Sequence, residues 1–237
     1  MFIDVHCHLI YVIDDGARSF EGTVKMIRDA VNNQISTIIT TPHITPGQAR
    51  FPYEDYMAHL EETRAYLAQQ NIPLKLYTGS EVLYTHNTPY MLADGKVPTI
   101  AGTQYVMLEF SPDDTFKFLL DAGRSVASSG YIPIYAHAER YECLKKLSQI
   151  EEMHVECNAQ IQMNARTVVK KHKFFRERWI RKLLDNGMVD YIGTDCHDMP
   201  GRSNCMAACF ERLKEDLGAE AAHALTHGNA EKILSEA

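Results

Sequence analysis

Two histidines separated by one residue, His6 and His8, open the chain, and Asp195 and His197 repeat that spacing near its far end. Between them come His43 after Thr41-Pro42, Glu81 after Gly79-Ser80, Glu109, and His137 after Ala136, with Asp14 shortly behind the first pair. Imidazoles and carboxylates hold hard and borderline divalent cations, and this set exceeds the about four or five positions that one ion fills. A single strand-end histidine is most often a buried polar residue and nothing more. Six such endings in one chain point instead to a shared cation site. Three cations are the expectation, because about −4 from the carboxylates against about +6 from the ions leaves a surplus that draws a dianion. The donor set suits Mn²⁺, Fe²⁺ or Zn²⁺ alike.

The elements that must bring these residues together are short. Apolar, β-rich runs at Phe2–Val5, Ser36–Thr40, Leu74–Thr78, Tyr105–Leu108, Ile132–Tyr135, His154–Cys157 and Met188–Ile192 read as seven strands. Helical spacing of apolar residues falls between them at Phe20–Asn32, Tyr53–Gln69, Thr115–Ser128, Arg140–Leu147, Phe174–Asn186 and Met206–Leu217, with a last helix at Ala219–Ser235. Alternating β and α predicts an α/β chain with a parallel sheet, and seven units favour a small, distorted (β/α)7 TIM-like barrel. Such barrels build active sites at the C-terminal strand ends, where the candidate ligands fall. Strand alternation turns His6 and His8 to one face and Cys7 to the other, and does the same for Asp195, His197 and Cys196.

The 237 residues are 45% apolar with a formal charge of −7, as expected of a globular chain rather than one that coats nucleic acid. Without a linker or repeat, residues 1–237 read as a single domain. No apolar run reaches the ~18 residues of a membrane span and no secretory signal is legible, so the expectation is a cytoplasmic protein without membrane insertion. The six cysteines lack a C-x-x-C pair and are expected to be mostly reduced core thiols.

The motifs DVHCHLIYVIDDGA, TTPHITPG, GSEV, LEF, AHAERY and TDCHDMPGR, in this order, resemble the polymerase-and-histidinol-phosphatase (PHP) superfamily. Within it they are similar to the manganese-dependent protein-tyrosine phosphatases of bacterial capsule and exopolysaccharide loci. The resemblance spans nearly the whole chain and implies the PHP fold and three divalent ions, with manganese favoured. It implies one ion on His6, His8, Glu81 and Asp195, a second on Glu81, Glu109 and His137, and a third on Asp14, His43 and His197. Arg140 and Arg202 match the family's phosphate-binding arginines, whose planar guanidinium suits two oxygens at once. The implied partner is a phosphotyrosine protein, the Tyr-rich tail of a cognate bacterial tyrosine kinase. A small phosphomonoester such as histidinol phosphate is the alternative substrate. A metal-dependent exonuclease and a non-catalytic metal-binding module are further alternatives on the same scaffold.

Cys196 to Arg202 also has the C-x5-R spacing of cysteine-dependent phosphatases, which need a low-pKa thiolate and a cradle of backbone N–H groups. Asp195 and Asp198 beside the thiol oppose both, and Pro200 removes a donor. Arg166–Lys182 carries eight Lys/Arg and one acid around Phe174, Phe175 and Trp179. It reads first as an amphipathic helix with a solvated basic face. Docking of an acidic phosphopeptide, an oligomer contact or nucleic-acid contact are its functional alternatives, the last opposed by the overall charge.

Overall fold

The computed structural model describes residues 1–45, 51–198 and 201–237. Pro200 and residues 46–47 of the TTPHITPG run lie outside them. Among the described residues nine strands form: β1 (Phe2–Cys7), β2 (Ile35–Thr40), β3 (His43–Ile44), β4 (Lys75–Tyr77), β5 (Glu81–Leu83), β6 (Tyr105–Glu109), β7 (Ile132–Tyr135), β8 (Gln160–Asn164) and β9 (Tyr191–Gly193). All paired strands run parallel, in the orders β1-β2-β4 and β3-β5-β6-β7-β8-β9. Thr41-Pro42 interrupts β2 and β3, and Thr78-Gly79-Ser80 interrupts β4 and β5, so the nine strands amount to seven consecutive runs. A parallel bridge between Cys7 and Cys196 closes the ring and gives the distorted barrel.

The helices are α1 (Phe20–Asn32), α2 (Tyr53–Gln69), α3 (Thr88–Ala93), α4 (Phe116–Ser128), α5 (Leu147–Cys157), α6 (Ala165–Val169), α7 (Phe174–Asp185), α8 (Met206–Leu217), α9 (Ala219–His223) and α10 (Asn229–Leu234). Local chemistry sets their starts. The Ser19 hydroxyl accepts from the Gly22 N–H at 3.2 Å and Thr115 accepts from Phe118 N–H at 3.2 Å, each satisfying a first-turn donor.

Three expected elements differ. His154–Cys157 is the last turn of α5, where Ile150, Met153 and Cys157 are buried at helical spacing and Asn158 ends the helix in a left-handed conformation (φ 51°). The sixth strand run is Gln160–Asn164 instead. Arg140–Leu147 forms no α-helix; a 3-10 turn at Ala138–Arg140 follows β7. The last helix breaks into α9, a π-helical turn at Ala224–Gly228, and α10.

Inside the curl the lower half is apolar: Ile3, Val5, Ile39, Met107, Ile134 and Tyr191 pack there with Ala230 and Ile233 of α10. Ile3 and Val5 occupy that interior, so strict alternation would turn His6 away. The register prevents this, because Asp4 pairs with Ile38 but Cys7 with Thr40, leaving an extra residue in β1. This bulge re-aims the strand so that His6 and His8 continue the interior face above Val5. The Asp4 carboxylate accepts from the His6 N–H at 3.3 Å within the bulge.

Candidate metal centre

At the C-terminal mouth the interior changes from aliphatic to imidazole and carboxylate. His6 Nε2 and His8 Nε2 lie 3.2 Å apart and face the same oxygen, Glu81 Oε2, at 3.1 and 3.3 Å. Asp195 Oδ1 stands 3.9 and 3.7 Å from the same two nitrogens. The other Glu81 oxygen meets His137 Nε2 at 2.8 Å, and Glu109 lies 3.5 Å from His137 Nε2 and from His43 Nδ1. His43 and His197 converge through Nε2 on Asp15 Oδ1, at 3.5 and 3.2 Å. Three groups thus offer ligand atoms all within 4.8 Å of one another: His6, His8 and Glu81; His43, Glu81 and Glu109; and His8, Asp15, His43 and His197.

The far nitrogens fix the tautomers. Gln162 Oε1 accepts from the His137 backbone N–H at 2.7 Å, which identifies it as the amide oxygen, so His6 Nδ1 at 3.1 Å must be the donor to it. His8 Nδ1 likewise donates to Asp14 Oδ2 at 2.7 Å. In the neutral rings both Nε2 atoms therefore turn lone pairs towards a carboxylate oxygen. Such an arrangement is repulsive unless protons or cations sit among the atoms, and this is the observation that makes the residues fit divalent ions.

The mutual electrostatics of these side chains point the same way. Burial works to lower His8, but its hydrogen bonds to Asp14 and Glu81 and the charges of both carboxylates win and push it up to about 10. His137 goes up to about 9, burial being outweighed by Glu109 and Glu81. Burial would raise Glu81 and Asp195, yet the neighbouring His6 charge holds both carboxyls below their usual range, helped at Asp195 by His8 and Arg140. Burial together with the His8 and Arg202 charges pushes His197 down to about 4, so its ring stays neutral and able to ligate.

Arg140 and Arg202 bracket Asp195, one guanidinium on each carboxylate oxygen; the Arg140 contact is 2.6 Å. Their side chains keep 39% and 30% exposure, so both border the open mouth. Backbone strain accompanies this arrangement. His137 (φ 34°) and Asp195 (φ 53°) both adopt the left-handed region, which costs a non-glycine residue about 1–3 kcal/mol. Gly193 lets β9 approach β1, since a Cβ there would come within 2.6 Å of His6 Cβ.

The sequence profile of the family described as "Capsular polysaccharide synthesis, CpsB/CapC" matches residues 2–235. The chain belongs to this family. The tyrosine-protein phosphatase CpsB of Streptococcus pneumoniae is 25% identical over 99% of this chain and 98% of its own length. The tyrosine-protein phosphatase YwqE of Bacillus subtilis is 27% identical over 98% and 91%. A solved structure from the pair YwqE from Bacillus subtilis and CpsB from Streptococcus pneumoniae, described as metal-dependent tyrosine phosphatases, superposes with a TM-score of 0.88. It is 26% identical and covers 99% of this chain and 94% of its own. Histidinol phosphate phosphatase from Lactococcus lactis shares the fold at a TM-score of 0.61 and 15% identity, with 97% of each chain covered. The barrel thus has the fold of these metal-dependent phosphatases, the PHP fold.

In this CpsB/CapC member, His6, His8, His43, Glu81, Glu109, His137, Asp195 and His197 meet in one mouth. Asp14 is the exception. Its carboxylate is spent on His8 Nδ1 and on the N–H groups of Gly16 and His43, both at 2.9 Å, which hold it down to about 2 against the effect of burial. The adjacent Asp15 reaches His43 and His197 in its place. Two consecutive aspartates in a loop give no parity by which to choose, so sequence alone missed it. Gln162 and Asn164 were also missed: Gln162 Nε2 donates to Asn164 Oδ1 at 3.0 Å, and Asn164 Nδ2 donates to Asp195 Oδ2 at 2.9 Å. Polar residues at 160, 162 and 164 were the available signal. The Cys196 thiol is buried and pushed well above its usual value by that burial, against a thiolate nucleophile.

Proposed function

We propose that this chain is a metal-dependent protein-tyrosine phosphatase, acting as a single cytoplasmic domain on a phosphotyrosine protein of capsule or exopolysaccharide synthesis, the tail of a cognate tyrosine kinase. The convergence of His6 and His8 lone pairs on Glu81 supports the reading, and family membership gives it its substrate class. No helix among the described residues is long and apolar enough to cross a membrane.

In this reading three divalent ions, manganese first, would be held by His6, His8, Glu81 and Asp195; by Glu81, Glu109 and His137; and by Asp15, His43 and His197. Bound ions supply Lewis acidity, offsetting phosphoryl charge and lowering the pKa of water. The chain's own part is positioning. Gln162 and Asp14 keep Nδ1 protonated on His6 and His8 and so aim Nε2 inward. Arg140 and Arg202, at the rim, hold the phosphoryl oxygens in a geometry suited to bidentate contact. A phenol leaving group with a pKa of about 10 departs with less protonation than an alkoxide requires, so the site needs no strong general acid.

The test is turnover of a phosphotyrosyl peptide, histidinol phosphate and p-nitrophenyl phosphate by purified protein of measured metal content, before and after chelation. Turnover of the peptide that stops on chelation and returns with Mn²⁺ is expected. Preference for histidinol phosphate would make the protein a small-ester phosphatase, and full activity without metal would refute the mechanism.

A further inference from the structure

The basic stretch singled out in the sequence is absorbed neither by the barrel nor by the metal centre. Eight cations against Glu177 give Arg166–Lys182 a charge of +7, so the rest of the chain carries −14. Lys170, Lys171, Lys173 and Arg176 are exposed, and among the described residues none of them has a carboxylate partner. Phe174 and Phe175 stand among them 72% and 83% exposed, their rings touching edge to face at 5.6 Å. The packing needs of α7 do not explain these rings, because its buried contacts come from Ile180, Leu183 and Leu184. The expected single helix is broken here, since Lys170, Lys171 and Lys173 lie in the non-helical segment between α6 and α7; solvation accounts for these lysines but not for two adjacent bare phenylalanines.

Position gives the patch meaning. It follows directly on β8, whose Asn164 touches Asp195, and α7 departs from the same barrel end that carries the metal ligands. Arg166 Nη2 donates to Ser203 O at 2.8 Å, tying the start of the stretch to the loop that presents Arg202. Arg166 and Ser203 thus join the start of the stretch to the loop at the rim of the mouth.

We propose that the shoulder formed by Lys170, Lys171, Lys173, Phe174, Phe175 and Arg176 docks an anionic, tyrosine-bearing segment of the phosphoprotein substrate, adjacent to the phosphotyrosine being hydrolysed. This deepens the phosphatase reading and rests on it. Phenol rings of the segment lie against Phe174 and Phe175, and its carboxylates or further phosphates pair with the cations. Charge complementarity favours a narrow peptide over an anionic bilayer, since a planar surface would also meet the −14 carried by the rest of the chain.

The test compares the wild type with Lys170→Glu/Lys171→Glu/Lys173→Glu and with Phe174→Ser/Phe175→Ser, all as full-length, metal-loaded protein. The substrates are p-nitrophenyl phosphate, a short neutral phosphotyrosyl peptide, and a long peptide with Glu and Tyr flanking the phosphotyrosine. Charge reversal is expected to raise KM for the long peptide about tenfold with kcat unchanged, the sum of several weak exposed pairs. The serine variant is expected to raise it several-fold, while both small substrates are unaffected. Wild-type preference for the long peptide should fall steeply with salt, and that of the charge-reversal variant should not. Unchanged KM for the long peptide, or an equal loss on all three substrates, overturns the proposal. So does loss of binding to phosphatidylglycerol vesicles, or of a dimer in solution, with peptide kinetics intact. Failure of the underlying phosphatase reading looks different: the wild type would hydrolyse neither phosphotyrosyl peptide.

Discussion

Replacing Gln162 with Met removes one amide of nearly the same volume and unpairs three buried groups. His6 Nδ1 loses its acceptor at 3.1 Å, the His137 N–H its acceptor at 2.7 Å, and Asn164 Oδ1 its donor at 3.0 Å. Each buried orphan costs about 1–3 kcal/mol, so after relaxation the sum is about 3–6 kcal/mol. In a chain of this size that lowers Tm by about 6–24 °C. The second consequence is on the metal centre. With its outer nitrogen untethered, the His6 ring is free to rotate and the left-handed His137 backbone loses a restraint. Losses of support behind a ligand reduce metal affinity about 10–100-fold. Gln162→Glu separates the two effects, because it keeps an accepting oxygen for His6 and His137 while giving up the donation to Asn164 and adding a carboxylate charge beside the cluster. Calorimetric titration of chelator-stripped protein with Mn²⁺, alongside thermal denaturation, should show weak binding for Gln162→Met and largely retained affinity for Gln162→Glu. Wild-type Mn²⁺ affinity and Tm in Gln162→Met would refute the assignment of this amide as the support of two ligands.

Asp15→Asn should lower the bound metal by about one ion per chain, whereas Asp14→Asn should keep the number and weaken affinity about 10–100-fold, as read by elemental analysis after dialysis. Equal behaviour of the two would undo the distinction drawn from their contacts. Cys196→Ser should retain phosphatase activity that chelation abolishes; the reverse pattern would restore the thiolate mechanism. Burial chiefly pushes Asp4 up from 3.8 to about 6, against its hydrogen bonds from Thr194 and His6. The folded chain therefore holds this proton more tightly than the unfolded one. The associated stability, about 3 kcal/mol, is fully present below about pH 4 and is lost as pH rises through about 6. In chelator-stripped protein Asp4→Asn should flatten that part of the stability–pH curve in denaturant titrations at pH 4 and pH 7; an unchanged slope would show that Asp4 does not titrate there.

Much of the imidazole and carboxylate cluster was legible because strand ends are punctuated in the primary structure. Apolar β-rich runs stopping at His6, His43, Glu81, Glu109, His137 and Asp195 needed only a parallel barrel to meet. The sixth run was not legible for a related reason. The inward-facing positions of β8 are polar, so Gln160–Asn164 lacks the apolar continuity of a buried strand, while the valine and cysteine of His154–Cys157 mimic one. Helical burial of Ile150, Met153 and Cys157 is the stronger constraint, and it fixes α5 there.

By itself the sequence determined the kinds of donor atom, their order and the parallel scaffold that collects them, because hydrophobic period and side-chain chemistry are local properties. Only the tertiary structure set Asp15 rather than Asp14 against the His43 and His197 rings, turned His6 inward through a bulge, and put Gln162 behind His6 and His137 on other strands. Those choices depend on distances between strands far apart in the chain, and neither residue type nor spacing encodes such distances until the barrel closes.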